Sequence, residues 1–349
     1  MSIEAQTRTR PAVWFPAIRA GTGVDVFTQR LCDALNARGI RAAVTWLPHR
    51  AEYLPWTVRR PVRPSWANVT HVNTWLHRSL LAPGTRVVAT MHHNVHSSAL
   101  TPFKRWPQRL YHSLWVRPLE EGILRVADCV TSVSHHTAIE LKETFGTSSV
   151  VIHNGIDLQV FRPPEQRSQD RAFRLLYVGS WSTRKGTDLL APIMRALGDG
   201  FELAYTATPG KVPDPNLPAN CRNIGKPELA QLVAAYQQAD ALLFPSRLEG
   251  FGQVVAEAMG CGLPVIAGRN SALPEVIESG RTGVLIDGED IGRFATAIRT
   301  LRDDPELRQR MSVAARQRVQ AHFDLERMAD RYALLYQGMI DHDSRQQAI

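Results

Sequence analysis

Two glutamates, Glu249 and Glu257, stand on either side of a glycine-rich turn in the segment FPSRLEGFGQVVAEAMGCGLPVIAG, residues 244–268. The pattern predicts a strand, a turn and a short helix that begins near Gly252 and ends at Gly260. The start of a helix offers unpaired N–H groups and the positive end of the helix dipole, and glycine lets a phosphate approach the backbone. We therefore expect an anion to bind there, with a carboxylate on each side of it.

Each carboxylate can accept hydrogen bonds from two hydroxyl groups, which sugars present as neighbouring pairs. A nucleotide-sugar has hydroxyls at both ends of a diphosphate, so it would suit this layout. The spacing alone equally fits a surface turn followed by an amphipathic helix with a solvated glutamate. The sequence on either side has to decide between these two interpretations.

The rest of the chain alternates short β-rich apolar runs with helical patterns, which is typical of α/β proteins. Its 349 residues are enough for two domains of common size. The alternation stops in a polar stretch with two prolines between Asp157 and Arg174. We predict two doubly wound lobes, which bind ligands beyond the carboxyl ends of their strands. The predicted strands are residues 12–15, 40–46, 69–72, 86–91, 129–134, 149–152, 174–180, 201–207, 241–246, 263–268 and 283–287.

The positive charge of the chain lies in its first half. Residues 1–150 contain 18 Lys and Arg against 9 Asp and Glu, a net of +9, whereas residues 151–349 contain 23 against 24, a net of −1, which together give the total of +8. We expect the first lobe to meet an anionic partner, and charge alone leaves open nucleic acid, a phosphorylated acceptor or an anionic membrane. The sequence has no recognisable nucleic-acid reader motif, so we expect no nucleic-acid partner.

Several sequence features concern location and redox state. No run of eighteen apolar residues occurs and the first ten residues lack an apolar core, so we expect no membrane span, no secretory signal and a cytoplasmic location. The polar tail, residues 341–349, is expected to be frayed. The cysteines lack the spacing of metal ligands, and we expect reduced core thiols without a disulfide or structural zinc. They are Cys32, Cys129, Cys221 and Cys261.

Further motifs surround the two glutamates. The pair is separated by seven residues in a Pro-Ser, Glu-Gly-Phe-Gly, Glu-Ala context, and LPEVIESGRTGVLID follows at 273–287. In these segments the chain resembles the family-4 retaining glycosyltransferases of GT-B fold. The other similar segments are GTGVDVFTQRLCDALNARGI at 21–40, VVATMHH at 87–93, ADCVTSVS at 127–134, VIHNGIDLQVFRP at 151–163 and LLYVGSWSTRKG at 175–186.

The resemblance implies a GT-B architecture, in which two facing Rossmann-like lobes enclose a cleft. Residues 1–162 would form the acceptor-binding lobe and residues 163–328 the lobe that binds the nucleotide-sugar. Residues 329–349 would form a C-terminal helix that packs back on the first lobe. The resemblance spans nearly the whole chain and is most specific in residues 241–287.

It also implies roles for the residues around the turn. Glu249 matches the first glutamate of the family, which contacts the donor sugar and is usually treated as catalytic. Glu257 matches the second, which binds the ribose. The backbone around Phe251, Gly252 and Gln253 matches the turn that takes the diphosphate.

The cations and the first-lobe residues of the site are also implied by the resemblance. Lys185 matches the family's phosphate-binding lysine. Many members have an arginine where this chain has Ser180, and Arg184 could replace it because a guanidinium can clamp two phosphate oxygens; it could also be a solvated charge beside a turn. Gly23 matches the glycine of a loop that approaches the donor phosphates. His92 matches a histidine at the reaction site, although the neighbouring histidine at position 93 leaves that match open.

The activity implied is retaining transfer of a hexose from a GDP- or UDP-linked sugar to a hydroxyl of a saccharide or lipid-linked saccharide, in assembly of bacterial polysaccharide, lipopolysaccharide or glycolipid. The helix start and the two cations would stabilise the leaving diphosphate, so we expect no metal and no other cofactor. The Asp-x-Asp sequence at 341–343 lies in the polar tail rather than at a strand end. The alternatives are a sugar-nucleotide-processing enzyme of the same fold and a basic nucleic-acid-binding protein.

The segment TPFKRWPQRLYHSLWVRP, residues 101–118, interleaves basic and aromatic residues at helical spacing. This pattern suits a helix lying on an anionic membrane, which predicts a peripheral protein on the cytoplasmic face of the inner membrane. The alternative is a helix that packs its aromatic residues into the first lobe while its arginines are solvated. The residues predicted to meet the membrane or the acceptor are Lys104, Arg105, Trp106, Arg109, Trp115 and Arg117.

Overall fold

The computed structural model describes residues 10–165, 171–208 and 214–346, with side chains as far as Asp341. The chain divides into two compact units. The first takes in the chain up to Ser97, Lys104–Gly155 and the chain from Leu325 onward, and the second takes in Ser98–Phe103 and Ile156–Asp324.

The described residues contain twelve strands, and all of their pairings are parallel. Each predicted apolar run coincides with one of them, and only β9 was not predicted, because its three residues show no apolar alternation. The strands are β1 (Val13–Ile18), β2 (Ala42–Leu47), β3 (Val69–Asn73), β4 (Arg86–Met91), β5 (Cys129–Ser132), β6 (Val150–Val151), β7 (Phe173–Tyr177), β8 (Phe201–Tyr205), β9 (Cys221–Asn223), β10 (Ala241–Phe244), β11 (Val265–Gly268) and β12 (Gly283–Ile286).

Helices follow most strands, as α/β alternation requires. They are α1 (Gly23–Ala37), α2 (Trp106–Tyr111), α3 (Arg117–Leu124), α4 (His135–Phe145), α5 (Leu190–Leu197), α6 (Leu229–Gln238), α7 (Gln253–Gly260), α8 (Leu273–Val276), α9 (Ile291–Asp303), α10 (Pro305–His322) and α11 (Leu325–Gln346). None of those helices combines the length and the apolar character needed to cross a bilayer.

In the first unit the strand order is β2-β1-β3-β4-β5-β6. Phe15 on β1 and Leu31 on α1 belong to a buried cluster that also contains Tyr332 and Tyr336 of α11. The last helix therefore packs on the first unit. Its helical backbone runs to Gln346, so the prediction of a frayed tail from residue 341 is wrong for 341–346, and residues 347–349 lie outside the described part.

In the second unit the strand order is β12-β11-β10-β7-β8-β9. Leu175, Leu203 and Leu243 of the sheet form a core with Ile193 of α5 and Ile298 of α9. From β7 the chain passes to β8 on one side of the sheet, whereas from β10 it passes to β11 on the other side. The connections that follow β7 and β10 therefore run to opposite sides of the sheet, and open parallel sheets bind ligands beyond the carboxyl ends of two such strands.

The crossings between the units come earlier than the sequence suggested. The predicted boundaries followed residues 162 and 328, whereas the units divide after Gly155 and before Leu325. The backbone N–H of Ile156 donates to the Phe323 carbonyl at 2.7 Å, and a Cβ at Gly155 would lie 2.5 Å from Leu325 Cα. These close backbone contacts, rather than the proline stretch, mark the change of unit.

The four cysteines are in the thiol form, and two of them, Cys32 and Cys261, are buried. The residues predicted for the donor fall on the second unit, except Gly23 and His92, which fall on the first. The segment predicted to meet a membrane is divided: its residues from Lys104 onward belong to the first unit and Phe103 to the second.

Candidate active site

Three loops of the second unit meet beyond the carboxyl ends of β7, β10 and β11. We call residues 178–186, 245–252 and 269–272 the switch-point loops, after their place in the sheet. The first two carry the predicted lysine and the first predicted glutamate. The third was not assigned a role from the sequence.

Glu249 is the centre of the contacts among these loops, and it is 7% exposed. Lys185 Nζ lies 2.6 and 2.8 Å from its two carboxylate oxygens, and Ser246 Oγ donates to Oε1 at 2.6 Å. Burial alone would raise the pKa of Glu249, but the Lys185 ammonium, the Ser246 hydroxyl and the Arg184 charge outweigh it and hold the pKa below its ordinary value. Glu249 is therefore an ionised carboxylate at neutral pH.

The loops after β7 and β10 are held together by their backbones as well. Arg247 N donates to the Arg184 carbonyl at 2.9 Å, and Arg184 Nη1 donates to the Leu248 carbonyl at 2.9 Å. Gly186 has φ +69°, and a Cβ there would lie 2.0 Å from the Pro245 carbonyl oxygen. Only glycine allows this approach, which places the lysine beside the glutamate.

Arg247, in the second switch-point loop, connects that loop to the first one and to two nearby carboxylates. Its guanidinium, 10% exposed, donates to both carboxylate oxygens of Asp188, at 2.7 and 2.9 Å, and to both of Glu289. It also donates to the Thr183 carbonyl. This arrangement could not be predicted from the sequence, because Asp188 and Glu289 are 101 positions apart and neither lies in a recognisable motif.

Helix α7 begins at the end of the second switch-point loop. Gly252, its N-cap, has φ +93°, a left-handed conformation that favours glycine. Phe251 is buried against the Phe323 ring, with 5.4 Å between centroids. Glu257 lies on α7, where Tyr236 Oη donates to its Oε2 at 3.3 Å and Gln253 Nε2 to its Oε1 at 3.4 Å.

Two serines support Glu249 and were not assigned roles from the sequence. Ser246, fully buried, donates to the carboxylate, and Ser271 Oγ accepts from the Glu249 backbone N–H at 2.7 Å. Ser246 belongs to the Pro-Ser motif, which could have indicated it. Ser271 lies 22 residues beyond the glutamate, and no local pattern connects the two.

The two predicted residues of the first unit are described by their own surroundings. His92 follows β4, shares a hydrogen bond with Asn73 Oδ1 at 2.8 Å, and meets the Phe27 ring edge-on at 4.6 Å. Burial lowers the pKa of His92 to about 3, so its imidazole is neutral. Gly23 is the first residue of α1; apart from its chain neighbours and its own helix, no heavy atom of the described residues lies within 4 Å of where its Cβ would be.

The first unit also has an exposed surface of basic and aromatic residues. Two segments form it, because the Trp56 and Trp115 rings lie 5.9 Å apart and the Tyr53 and Tyr111 rings 6.0 Å apart. Trp115 Nε1 donates to the Glu52 carbonyl at 2.9 Å. We call it the aromatic-basic surface: Tyr53, Leu54 and Trp56 from one segment, and Arg105, Trp106, Arg109, Leu110 and Leu114 from the other.

Exposure distinguishes the two interpretations of residues 101–118. Trp106 is 73% exposed, and Trp56 and Leu114 are each 68% exposed. A helix that packed its apolar side chains into the lobe would bury them, so that alternative is wrong for Trp106 and Leu114. The contribution of Trp56 could not be predicted from residues 101–118, because Trp56 lies far from that segment in the sequence.

Besides the half-buried Trp115, whose indole N–H donates to the Glu52 carbonyl, two of the residues predicted for this surface have other contacts. Lys104 is half-buried and donates to the Val95 carbonyl, and desolvation, followed by the charge of Arg109, lowers its pKa. Arg117 pairs with Glu121 at 3.1 Å and donates to the Thr144 carbonyl at 3.2 Å. Neither belongs to the aromatic-basic surface, because each side chain is drawn to partners on its own unit.

Sequence comparisons identify the family. The profile described as "Glycosyltransferase Family 4" matches residues 18–160, and that described as "Glycosyl transferases group 1" matches residues 214–318. The glycogen synthase of Mycobacterium tuberculosis is 30% identical over 288 residues, which are 78% of this chain and 69% of that protein. The chain belongs to glycosyltransferase family 4. The resemblance inferred from its motifs is therefore confirmed.

Another relative of this family-4 chain is the GDP-mannose-dependent alpha-(1-6)-phosphatidylinositol monomannoside mannosyltransferase of Mycolicibacterium smegmatis. It is 31% identical over 218 residues, which are 54% of this chain and 57% of that protein. The relatives therefore include a glycogen synthase and a mannosyltransferase.

Solved structures confirm the GT-B fold class. Sucrose-phosphate synthase from Thermosynechococcus elongatus has a TM-score of 0.77 at 20% identity, covering 95% of this chain and 100% of that one. The Anabaena protein HepE, in complex with UDP and glucose, has a TM-score of 0.71 at 16% identity, covering 93% and 99%. At such identities the likeness concerns the fold alone.

Proposed function

We propose that this protein transfers a hexose from a GDP- or UDP-linked sugar to a hydroxyl of a saccharide or lipid-linked saccharide, retaining the anomeric configuration. The observation that carries the proposal is the pair of Lys185 and Glu249, held with Arg184 at the switch point beside the start of α7. Family membership gives the reaction class. The GDP-mannose named for one relative and the UDP bound by one structural neighbour support these two nucleotides.

The leaving group is the first chemical requirement. In the proposed reaction the bond from the anomeric carbon to the diphosphate oxygen breaks, and negative charge grows on the diphosphate. Lys185, Arg184 and the N–H groups at the start of α7 are fixed positive groups that would stabilise it. This set supports transfer without a metal ion.

Glu249 would act on the sugar rather than on the leaving group. Its pKa lies below the ordinary value, so at neutral pH it has no proton to donate to the departing oxygen. Its carboxylate can accept hydrogen bonds from donor-sugar hydroxyls and stabilise positive charge at the anomeric carbon. Both oxygens already contact Lys185, and we do not propose a covalent intermediate on this residue.

Retention then requires attack on the face from which the diphosphate leaves. The acceptor oxygen forms its bond to the anomeric carbon there, and its proton passes to an oxygen of the departing diphosphate. The proposal also assigns the neutral imidazole of His92 to the reaction site. Gly23 is proposed to approach the donor phosphates. Glu257, anchored by Tyr236 and Gln253, would accept hydrogen bonds from the ribose hydroxyls.

The aromatic-basic surface supports a lipid-linked acceptor. Exposed tryptophan and leucine beside arginine are the side chains that suit the interface of an anionic membrane. One relative is named for a phosphatidylinositol acceptor. We therefore include attachment to the cytoplasmic face of the inner membrane, and a place in bacterial polysaccharide, lipopolysaccharide or glycolipid assembly, in the proposal.

Melting temperature in the presence of UDP, GDP, ADP or TDP, with EDTA throughout, tests the donor site. A diphosphate that binds only the folded protein raises the melting temperature. We expect one of UDP and GDP to do so, and the corresponding sugar nucleotide to give a glycosylated product with EDTA present. Lys185→Gln should remove the shift.

Lys142 provides the matched control, since it is an exposed lysine on α4 of the first unit. Lys142→Gln should keep the full shift. A wild-type protein that none of the four diphosphates stabilises would overturn the proposal. Product formation that EDTA abolishes and Mg²⁺ restores would overturn its metal-independent part.

A further inference from the structure

Ser271 has an unusual backbone conformation. Within residues 10–165, 171–208 and 214–346 it is the one residue other than glycine with positive φ, at 48°. In this left-handed region a Cβ crowds the following carbonyl oxygen, so glycine, asparagine and aspartate are the usual occupants. Conformations of this kind persist where the surrounding structure enforces them, and they cluster at functional sites.

The turn around Ser271 is tight on both sides. Asn270 N donates to the Gly268 carbonyl at 3.0 Å, and Leu273 N donates to the Asn270 carbonyl at 3.1 Å. A Cβ at Gly268 would lie 2.6 Å from Asn270 Nδ2. The chain therefore reverses direction between β11 and α8 within a few residues, and Ser271 lies at the reversal.

This turn holds the segment that carries Glu249. Ser271 Oγ accepts from the Glu249 backbone N–H at 2.7 Å, and Asn270 Nδ2 donates to the Ser246 carbonyl at 3.3 Å. Glu249 is 7% exposed, so water could not easily replace the serine hydroxyl. The two contacts fix both ends of the short segment from Ser246 to Glu249.

We propose that Ser271 is a positioning residue for the transfer reaction, whose hydroxyl fixes the backbone at Glu249 so that the carboxylate keeps one geometry towards Lys185 and Ser246. The consequence for catalysis rests on the function proposed above. Catalysis is sensitive to displacements of about 1 Å in groups that contact the substrate. Glycine would adopt this left-handed conformation without strain, but it has no hydroxyl to accept the hydrogen bond.

Three substitutions separate the hydroxyl from the backbone strain. Ser271→Ala and Ser271→Gly both remove the hydroxyl, but only glycine adopts φ 48° without strain. Ser271→Thr keeps the hydroxyl and adds strain, because a β-branched residue is least tolerant of positive φ. We expect Ala and Gly to lower kcat by the same factor, roughly three- to tenfold, with little change in KM for the donor, while Gly melts at a higher temperature than Ala.

The expected order of kcat is wild type close to Thr, both above Ala and Gly. A role in folding alone would instead make activity follow melting temperature, with Gly retaining more activity than Ala and Thr least. That order would overturn the proposal. A matched control is Ser279, whose Oγ accepts from the Leu285 backbone N–H at 3.1 Å in the same unit; Ser279→Ala should leave kcat unchanged.

Hydrogen exchange tests the contact without any turnover. The Glu249 amide should exchange at least about tenfold faster in Ser271→Ala and Ser271→Gly than in the wild type and Ser271→Thr. Equal protection in all four proteins would overturn the positioning role. If the wild type transfers no sugar from any nucleotide, the proposed function fails, whereas the exchange result still decides whether Ser271 holds the Glu249 backbone.

Discussion

The switch-point loops and the aromatic-basic surface both present cations, but they hold them differently. Lys185 and Arg247 are mostly buried and contact carboxylates, and Arg184 contacts a backbone carbonyl. Arg105, the N-cap of α2, and Arg109, on α2, are exposed and flank the exposed Trp106 in the sequence. Buried pairs fix positions at the cost of desolvation, whereas exposed charges attract over a distance without fixing geometry. The first arrangement suits chemistry, and the second suits attachment.

The largest effect should come from removing the carboxylate at the centre of the loops. Glu249→Gln should lower kcat by about 10²- to 10³-fold, because a group that stabilises the transition state is lost. The affinity for UDP or GDP should stay the same or rise, since Lys185 is then released from its pair. Calorimetric binding and initial rates measure both, and a loss of nucleotide affinity equal to the loss of kcat would contradict this division of roles.

The next effect should come from the lysine. Lys185→Met should weaken nucleoside diphosphate binding about ten- to a hundredfold, which corresponds to one charge-assisted hydrogen bond of about 1.5–3 kcal/mol. Lys142→Met is the control, with no expected change. Equal affinities for wild type and the Lys185 variant would show that the buried cation serves only to hold the loop.

The exposed cations should affect attachment without affecting chemistry. Arg105→Gln combined with Arg109→Gln should weaken binding to anionic vesicles about thirtyfold, at about 1 kcal/mol per arginine. Donor hydrolysis should not change. Arg117→Gln is the control, because its side chain is engaged by Glu121 and Thr144. Vesicle sedimentation measures all three proteins, and an unchanged double variant would leave this surface without a membrane role.

Glu257 should show a smaller effect, confined to donor binding. Glu257→Gln keeps the shape of the side chain but gives up one acceptor for the ribose hydroxyls, so the donor KM should rise about fivefold to tenfold while kcat changes less. Steady-state kinetics over a range of donor concentrations measures both. A fall in kcat with an unchanged KM would place this residue with the reacting sugar instead.

Acid should act on the two units through different groups, with a modest effect. His71 and His92 of the first unit have their pKa lowered from 6.5 to about 3, chiefly by burial. Below pH 6.5 these histidines are protonated in the unfolded chain but stay neutral in the folded unit. The free energy of unfolding therefore falls as the pH falls from 6.5 towards 3. His71→Gln should reduce the slope of melting temperature against pH between 6.5 and 5; an unchanged slope would contradict the assignment.

The paired carboxylate of the second unit responds in a lower range. The pKa of Glu249 is depressed from 4.5, so its contribution to stability is present above that value and is lost as the pH falls through the folded-state pKa. Glu249→Gln should therefore leave the slope between pH 6.5 and 5 unchanged. This difference in pH range distinguishes the buried histidines from the buried ion pair.

Much of the fold could be predicted from local pattern. Apolar runs bounded by turn residues located every strand except β9, whose Cys-Arg-Asn sequence lacks any alternation. The limits of the units could not be predicted, since they depend on the backbone contacts of Gly155 and Ile156 with the distant residues Leu325 and Phe323. The prolines and the polar composition predicted a loop there, but they did not show at which residue the chain passes from one unit to the other.

The candidate site was partly predictable for a similar reason. The glutamates, the glycines and Lys185 lie in contiguous motifs, so their residue types and spacing are visible in the sequence. Ser271, Asp188 and Glu289 act through contacts with residues that are 22 to 59 positions away, and nothing local distinguishes them. Lys104 is the opposite case. Its charge predicted a role at the exposed surface, but in the structure its ammonium group donates to the Val95 carbonyl.

Local motifs were enough to predict the family, the α/β class and which carboxylate, lysine and helix start belong to the candidate site. These follow from motifs within single stretches of chain, where backbone geometry is set by neighbouring residues. Three features became visible only in the folded chain: Glu249 is paired and ionised, Ser271 and Arg247 support its loop, and Trp56 extends the exposed surface. Charge state and orientation depend on groups that folding brings together from distant positions, so no local pattern can encode them.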